Sequence, residues 1–356
     1  MGWKSGYIDG LVSGATWGVV AILLPGAEQL SGASLLAMSM AVAALCDTAA
    51  AFFLLVRSGL AGSLADVARV LASRRALAIG ACSVLGGPLF MGGYIAAVIL
   101  AGPSDALTAT ATYPVIGAIL ARLLLRQRLD RVGWIGVTVT AAGATLIAVD
   151  AGGSDDGIRT LVGIAVALGA AAAVALEGIV ATRAMVGLDT NTVMAVRELL
   201  SAVMFGLVLL AVPGGIAAAG SVIANTGLIV PIICAGMIGG YSYAIWYRSI
   251  RKIGVARAMA LNISYAVWGA IFAWSLLQVP LTLFAIIGCA VVTGGAVLTI
   301  LSGRPESACV SSKSAGPLTV STQSVSEKGW RACVTLPPTE GVEHLAFGLP
   351  ARRRPR

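Results

Sequence analysis

A chain of 356 residues that is 58% hydrophobic and 11% charged, with mean hydropathy +0.92, is not a water-soluble globular domain. Such domains carry about 25% charged and about 45–50% apolar residues. The net charge of +8 gathers in the connections between apolar runs, which makes it a signal of topology and anionic lipid, not a nucleic-acid footprint.

The opening residues Met1–Gly10 hold one base, Lys4, and one acid, Asp9, before a long apolar run with no clear cleavage site. They read as a retained first helix, not a removable signal peptide. Apolar runs follow at roughly 7–24, 33–56, 76–100, 104–125, 132–149, 158–182, 190–212, 226–247, 255–277 and 280–301. Each is long enough, at about 1.5 Å per residue, to cross about 30 Å of hydrocarbon. Ala, Leu and Gly dominate and no ten-residue alternation occurs, so strands are a poor alternative. In lipid every backbone amide needs an internal partner, and helices supply one. The expected fold class is therefore an all-α integral membrane protein of ten transmembrane helices. Between spans 2 and 3, Leu60, Leu64, Val67 and Leu71 share one helical side, which predicts a short surface helix on the cytoplasmic leaflet.

The connections after spans 2, 4, 6 and 8 carry Arg57, Arg69, Arg74, Arg75, Arg126, Arg128, Arg131, Arg183, Arg248, Arg251 and Lys252. The opposite connections carry Glu28, Asp105, Asp150, Asp155 and Asp156, with Arg159 the one base near that side. Basic residues stay where they need not be translocated, so both termini are expected in the cytoplasm of a multi-pass protein of the plasma or inner membrane. Residues 303–356 turn rich in Ser, Pro, Gly and Thr, lose periodicity and end in Arg352-Arg353-Arg354-Pro355-Arg356. They are expected to form a disordered cytoplasmic tail.

Residues 106–148 recur without a gap 152 positions later as 258–300, with 16 of 43 aligned pairs identical. The matches include Tyr113/Tyr265, Gly117/Gly269, Leu129/Leu281, Gly136/Gly288 and Gly143/Gly295. A weaker echo links Trp17-Gly18 in span 1 to Glu177-Gly178 in span 6. Five crossings separate corresponding points, so the halves 1–150 and 151–302 are expected as a 5+5 inverted repeat. That arrangement is the mark of a secondary transporter whose site lies at the repeat interface near the bilayer midplane.

Ionisable groups inside spans cost about 2.5–3.5 kcal/mol each on insertion scales, so those present should be paired or face water. Glu177 in span 6 and Arg197 in span 7 lie at similar depth, roughly 9–11 Å from the same membrane side, and are expected to pair. Glu198 projects about 100° from Arg197 and is expected to face elsewhere. Asp47 in span 2 lies roughly 14 Å above Arg57. Functionally, Arg197 would meet an anionic group and Glu177 or Asp47 a cation or proton; the plain alternative is a static pair that fixes helix register. Pro114 is expected to break hydrogen bonding inside span 4. Tyr113 and Tyr265 would then approach from opposite halves, with Asn262 adding an amide.

Trp17 and Trp268 lie deep enough to stack on a solute, whereas Trp246 and Tyr247 adjoin Arg248 and read as interfacial anchors. The expected substrate-binding set is thus Arg197, Glu177, Tyr113, Tyr265, Asn262, Trp17 and Asp47. Gly136/Gly143 and Gly288/Gly295 offer a surface for close helix contact, within the fold or between two copies as a homodimer. The lone His344 removes His-based metal chemistry. The cysteines at 46, 82, 234, 289, 309 and 333 lack CxxC spacing, so neither a zinc site nor a disulfide framework is expected, and no cofactor is.

The stretch YPVIGAILARLLLRQRLDRVGWIGVTVTAAGATL at 113–146 resembles the EamA-type drug/metabolite transporter superfamily. Pro114, Leu129, Gly136 and Gly143 match its pattern of a Pro-led helix, a Glu-x-Leu loop and a helix with Gly residues two turns apart. Leu281, Gly288 and Gly295 match in the second copy, and Trp17-Gly18 and Arg197 resemble recurrent positions. The likeness covers about 300 residues, everything before the tail. The family's loop Glu is Gln127 in one copy and Val279 in the other, and its second Pro is Ala266, so roles tied to those acids, such as anchoring a helix end, do not carry over. The resemblance implies spans 1–4 and 6–9 around a central cavity, spans 5 and 10 peripheral, and carriage of small organic solutes.

Three readings follow. The first is a carrier working by alternating access, one half rocking against the other, with proton-coupled efflux as one form. The second is a non-transporting scaffold or receptor that keeps the fold. The third, an intramembrane enzyme, lacks a metal cluster or nucleophile–base pair. No Walker motif is present, so ATP-driven transport is not expected.

Overall fold

Helices satisfy their own backbone in an apolar medium, and among the described residues ten are long and apolar enough to cross a bilayer. A computed structural model describes residues 2–24, 34–148, 157–278 and 280–302. The expected tail lies outside the described residues, as do Glu28, Asp150, Asp155, Asp156 and Val279.

Spans 1 and 2 are α1 (Gly2–Leu23) and α2 (Leu35–Leu60), followed by the short α3 (Leu64–Leu71). Span 3 comprises α4 (Arg75–Val84), a π-helical stretch Leu85–Gly92 and α5 (Gly93–Ala101). Span 4 is split into α6 (Pro103–Thr110) and α7 (Tyr113–Leu124), and span 5 is α8 (Arg131–Ala148). The second half runs α9 (Gly157–Ala184), α10 (Thr190–Ala211), the short α11 (Gly215–Ala224) and α12 (Thr226–Ile253). Span 9 is split into α13 (Val255–Asn262) and α14 (Tyr265–Leu277), and α15 (Leu283–Leu301) is span 10. Side-chain caps start several of these: Ser34 accepts from Ala37 N, Asp189 from Asn191 and Thr192 N, and Thr282 from Ala285 N.

The repeat is written in the backbone more fully than in residue identity. Left-handed φ occurs at Gly62 and Gly214, Gly102 and Gly254, and Arg126 and Gln278, each pair 152 positions apart. Gly102 and Gly254 share one conformation, φ/ψ 86°/163° and 85°/164°, which is closed to L side chains. The repeat therefore reaches back at least to residue 62, and α3 and α11 occupy corresponding places. Residues 213–225, between the seventh and eighth expected spans, hold the further helix α11, whose Ala218 and Val222 are buried in a cluster with residues of α2. In α3 the buried pair is Val67 and Val70, while the expected stripe members Leu60, Leu64 and Leu71 stay exposed.

Spans 4 and 9 break alike. Ala111–Thr112 and Ile263–Ser264 all have ψ near −10°, and Tyr113 and Tyr265 open the half-helices that follow. Pro114 occupies the first turn of α7, where a missing N–H costs nothing. The same break recurs with Ala266 in its place, so proline accompanies the break without causing it.

Packing follows the same symmetry. α8 lies on α15 and α2 on α10; α1 lies on α12, α13 and α14, mirrored by α9 on span 3, α6 and α7. A Cβ built on Gly143 would lie 2.5 Å from Val292 N, and one on Gly295 would lie 2.5 Å from Thr140 N. The glycine stripes thus join spans 5 and 10 inside one chain, which takes that surface away from the expected homodimer contact.

Candidate functional site

Between the two repeats the bundle buries charge. Glu177, Arg197 and Glu198 are 0%, 2% and 2% exposed, a placement tolerated only with partners. Arg197 Nε donates to Glu177 Oε1 at 3.1 Å, and its Nη2 stands 3.1 Å from the same oxygen. Its Nη1 donates to Glu198 Oε1 at 2.8 Å. The guanidinium lies over the Tyr243 ring, 4.4 Å from the centroid. Glu177 also accepts from Tyr247 OH at 2.9 Å and Tyr243 OH at 3.1 Å. Ser83 Oγ donates to the Arg197 carbonyl at 2.8 Å, tying span 3 to span 7.

The expected Glu177–Arg197 pair is therefore present, and two expectations are corrected around it. Glu198 does share the guanidinium: the Cα–Cβ bonds diverge, but two long flexible side chains converge beyond them. Trp246 and Tyr247 are not interfacial anchors. They are 3% and 0% exposed, because α12 continues past Arg248 to Ile253. Sequence reading missed Gly86 altogether. It is buried in the π-helical part of span 3, and a Cβ there would fall on the Glu177 carboxylate and the Arg197 guanidinium.

A cavity of about 270 Å³ adjoins this network. Its walls come from spans 1, 2 and 3 of one half and spans 7 and 8 of the other, running from Leu24 and Ser39 to Asp47, Gly86, Arg197 and Glu198. Trp17, Phe90, Tyr94 and Tyr243 supply aromatic surface. Asp47 is half-buried and accepts from Ser201 Oγ at 2.5 Å.

A smaller cavity of about 50 Å³ shares Trp17, Phe90 and Tyr243 with the first and is also lined by Tyr113, Asn262 and Tyr265. Tyr113 OH donates to Asn262 Oδ1 at 3.1 Å, and Asn262 Nδ2 donates to Ser13 Oγ at 2.9 Å. The repeat-related tyrosines thus meet in one place, and every member of the expected site set lies at one of the cavities or bonds directly to a residue that does. Trp268 does not: it is 37% exposed and stacks on Phe272.

The sequence profile of the EamA-like transporter family matches residues 4–149 and 161–301, both halves of the bundle. The chain belongs to the EamA-like transporter family. No curated protein matches this EamA-like chain. Among solved structures, one described as "Crystal structure of protein" is similar at 18% identity and a TM-score of 0.62, over 83% of this chain and 98% of that one. At that identity the likeness is one of fold. Within the family's loop pattern, Gln127 stands where an acid is usual, yet its Oε1 accepts the Val255 N–H at 3.2 Å. That bond satisfies the amide of the first residue of α13, one of the N–H groups a helix start leaves without a partner in the helix.

Proposed function

We propose that this EamA-like protein is a secondary, non-ATP transporter that moves small organic solutes outward across the plasma or inner membrane by alternating access, in exchange for protons. The observation that carries the reading is the cavity between the two halves, which puts aromatic surface, carboxylates and one arginine together within membrane spans. Asp47, Glu177 and Glu198 are the groups able to take a proton as solute leaves, and Arg197 holds the latter two in place. The small-molecule substrate meets the larger cavity; Tyr113, Tyr265 and Asn262 supply the polar end.

Solute flux in proteoliposomes tests this. An opposing pH gradient should accelerate flux, and Asp47→Asn should lower it about tenfold or more while leaving insertion intact. Unaltered flux in the variant, or a folded protein without flux across a broad solute panel, would favour a scaffold instead. Orientation is a separate part of the proposal, with both termini in the cytoplasm on the strength of the basic connections. A cysteine introduced at Arg128 should resist an impermeant maleimide in intact cells, whereas one at Ser154 should react. Labelling of both from outside would remove the inverted topology.

A further inference from the structure

The larger cavity has a charge imbalance that narrows its ligand. Arg197, the one basic residue among the described residues that line it, is already engaged: Nε and Nη2 face Glu177, Nη1 faces Glu198, and one face of the guanidinium rests on Tyr243. Three carboxylates, those of Asp47, Glu177 and Glu198, surround this single cation. Glu177 is saturated by Arg197, Tyr243 and Tyr247. Glu198 and Asp47 are not. Each uses one oxygen, toward Arg197 Nη1 and Ser201 Oγ respectively, and the other oxygen has no hydrogen-bond partner among the described residues. Glu198 is 2% exposed and lines the cavity, so a group entering that space is what its unshared oxygen can meet. A charged donor there would gain a charge-assisted hydrogen bond.

The remaining walls suit a cation with an apolar body. Trp17, Phe90, Tyr94 and Tyr243 line the space, and aromatic faces attract ammonium groups as well as apolar surface. No three His, Cys, Asp or Glu side chains among the described residues converge as metal ligands do, which points to an organic ion rather than a metal.

We infer that the cavity binds a small organic cation, an amine carried on an apolar or aromatic body, through Asp47 and the free oxygen of Glu198. Arg197 is then a positioning residue that orients Glu198 and does not touch the solute. The inference rests on reading the cavity as a solute site, and deepens that reading by naming the charge of the occupant.

Three near-isosteric probes separate the possibilities by calorimetric titration of the full chain in detergent: 2-phenylethylamine, 2-phenylethanol and phenylacetate. The amine should bind about tenfold or more tightly than the alcohol, and the acid weakest. Asp47→Asn and Glu198→Gln should each reduce the amine's advantage over the alcohol about tenfold, while alcohol binding stays within about twofold. Phenylacetate binding tightest would overturn the inference and make Arg197 the recognition group. Equal binding of all three would also overturn it. The wild-type series decides even if a variant does not fold. Amine binding without flux in proteoliposomes would leave the site assignment standing and sink the carrier reading. Flux of a neutral or anionic solute with no amine selectivity would do the reverse.

Discussion

Arg197→Ala should destabilise the folded protein by about 3–5 kcal/mol, the usual consequence of stripping one partner from a buried ion pair. Glu177 and Glu198 would be left 0% and 2% exposed with no cation between them, and Tyr243 would lose the guanidinium from its ring. Thermal unfolding in detergent measures the loss. Adding Glu177→Gln to Arg197→Ala should recover part of it, since one stranded charge is then gone. A melting curve for Arg197→Ala that overlays the parent would show that the network contributes nothing to the fold. Gly86→Ala attacks the same network from the other side. Its Cβ would land on the ends of two side chains, which can move only by giving up their hydrogen bonds. A cost of about 1–3 kcal/mol is expected, with transport falling further than stability does.

Gly295→Val should be as damaging for a different reason. A Cβ at 295 lies 2.5 Å from Thr140 N and 2.9 Å from Gly136 O. These are backbone atoms of the facing helix, so α8 and α15 must separate and give up the close contact that holds them together in lipid. The expected cost is about 3 kcal/mol, at the top of the ordinary range for overpacking. Gly294→Val, one residue earlier, is the control: a Cβ there meets nothing within 4 Å. Recovery of monodisperse protein after extraction distinguishes them. Equal recovery of both variants would show that the α8–α15 contact is not needed.

Span count and repeat were legible because both depend on patterns that survive without coordinates: runs of apolar residues, and Tyr113/Tyr265 or Gly143/Gly295 at one fixed spacing. The Glu177–Arg197 pair was legible because helical rise alone places both at one depth. Glu198 was not, since a rule about Cβ directions says nothing of where a guanidinium on three methylenes will turn. Trp246 and Tyr247 were misplaced because Arg248 looked like a helix end. In the fold the basic run remains helical: Arg251 bonds to the Met185 and Leu188 carbonyls and Thr190, and Lys252 pairs with Asp9. Gly86 gave no local signal, for its importance lies in two side chains that are distant in sequence.

The zipper between α1 and α12 has a mechanical consequence. Lys252 Nζ reaches Asp9 at 2.6 Å, Ser249 Oγ reaches the Gly6 carbonyl at 2.9 Å, and Ser13 and Ser242 exchange hydroxyl-to-carbonyl bonds at 3.0 and 2.8 Å. Splitting the molecule at residue 150 into two tilting blocks would tear every one of these. In the alternating access proposed above, span 1 would therefore stay with spans 8 and 9 and, by the mirror relation, span 6 with spans 3 and 4. Each moving block would then draw on both halves of the sequence.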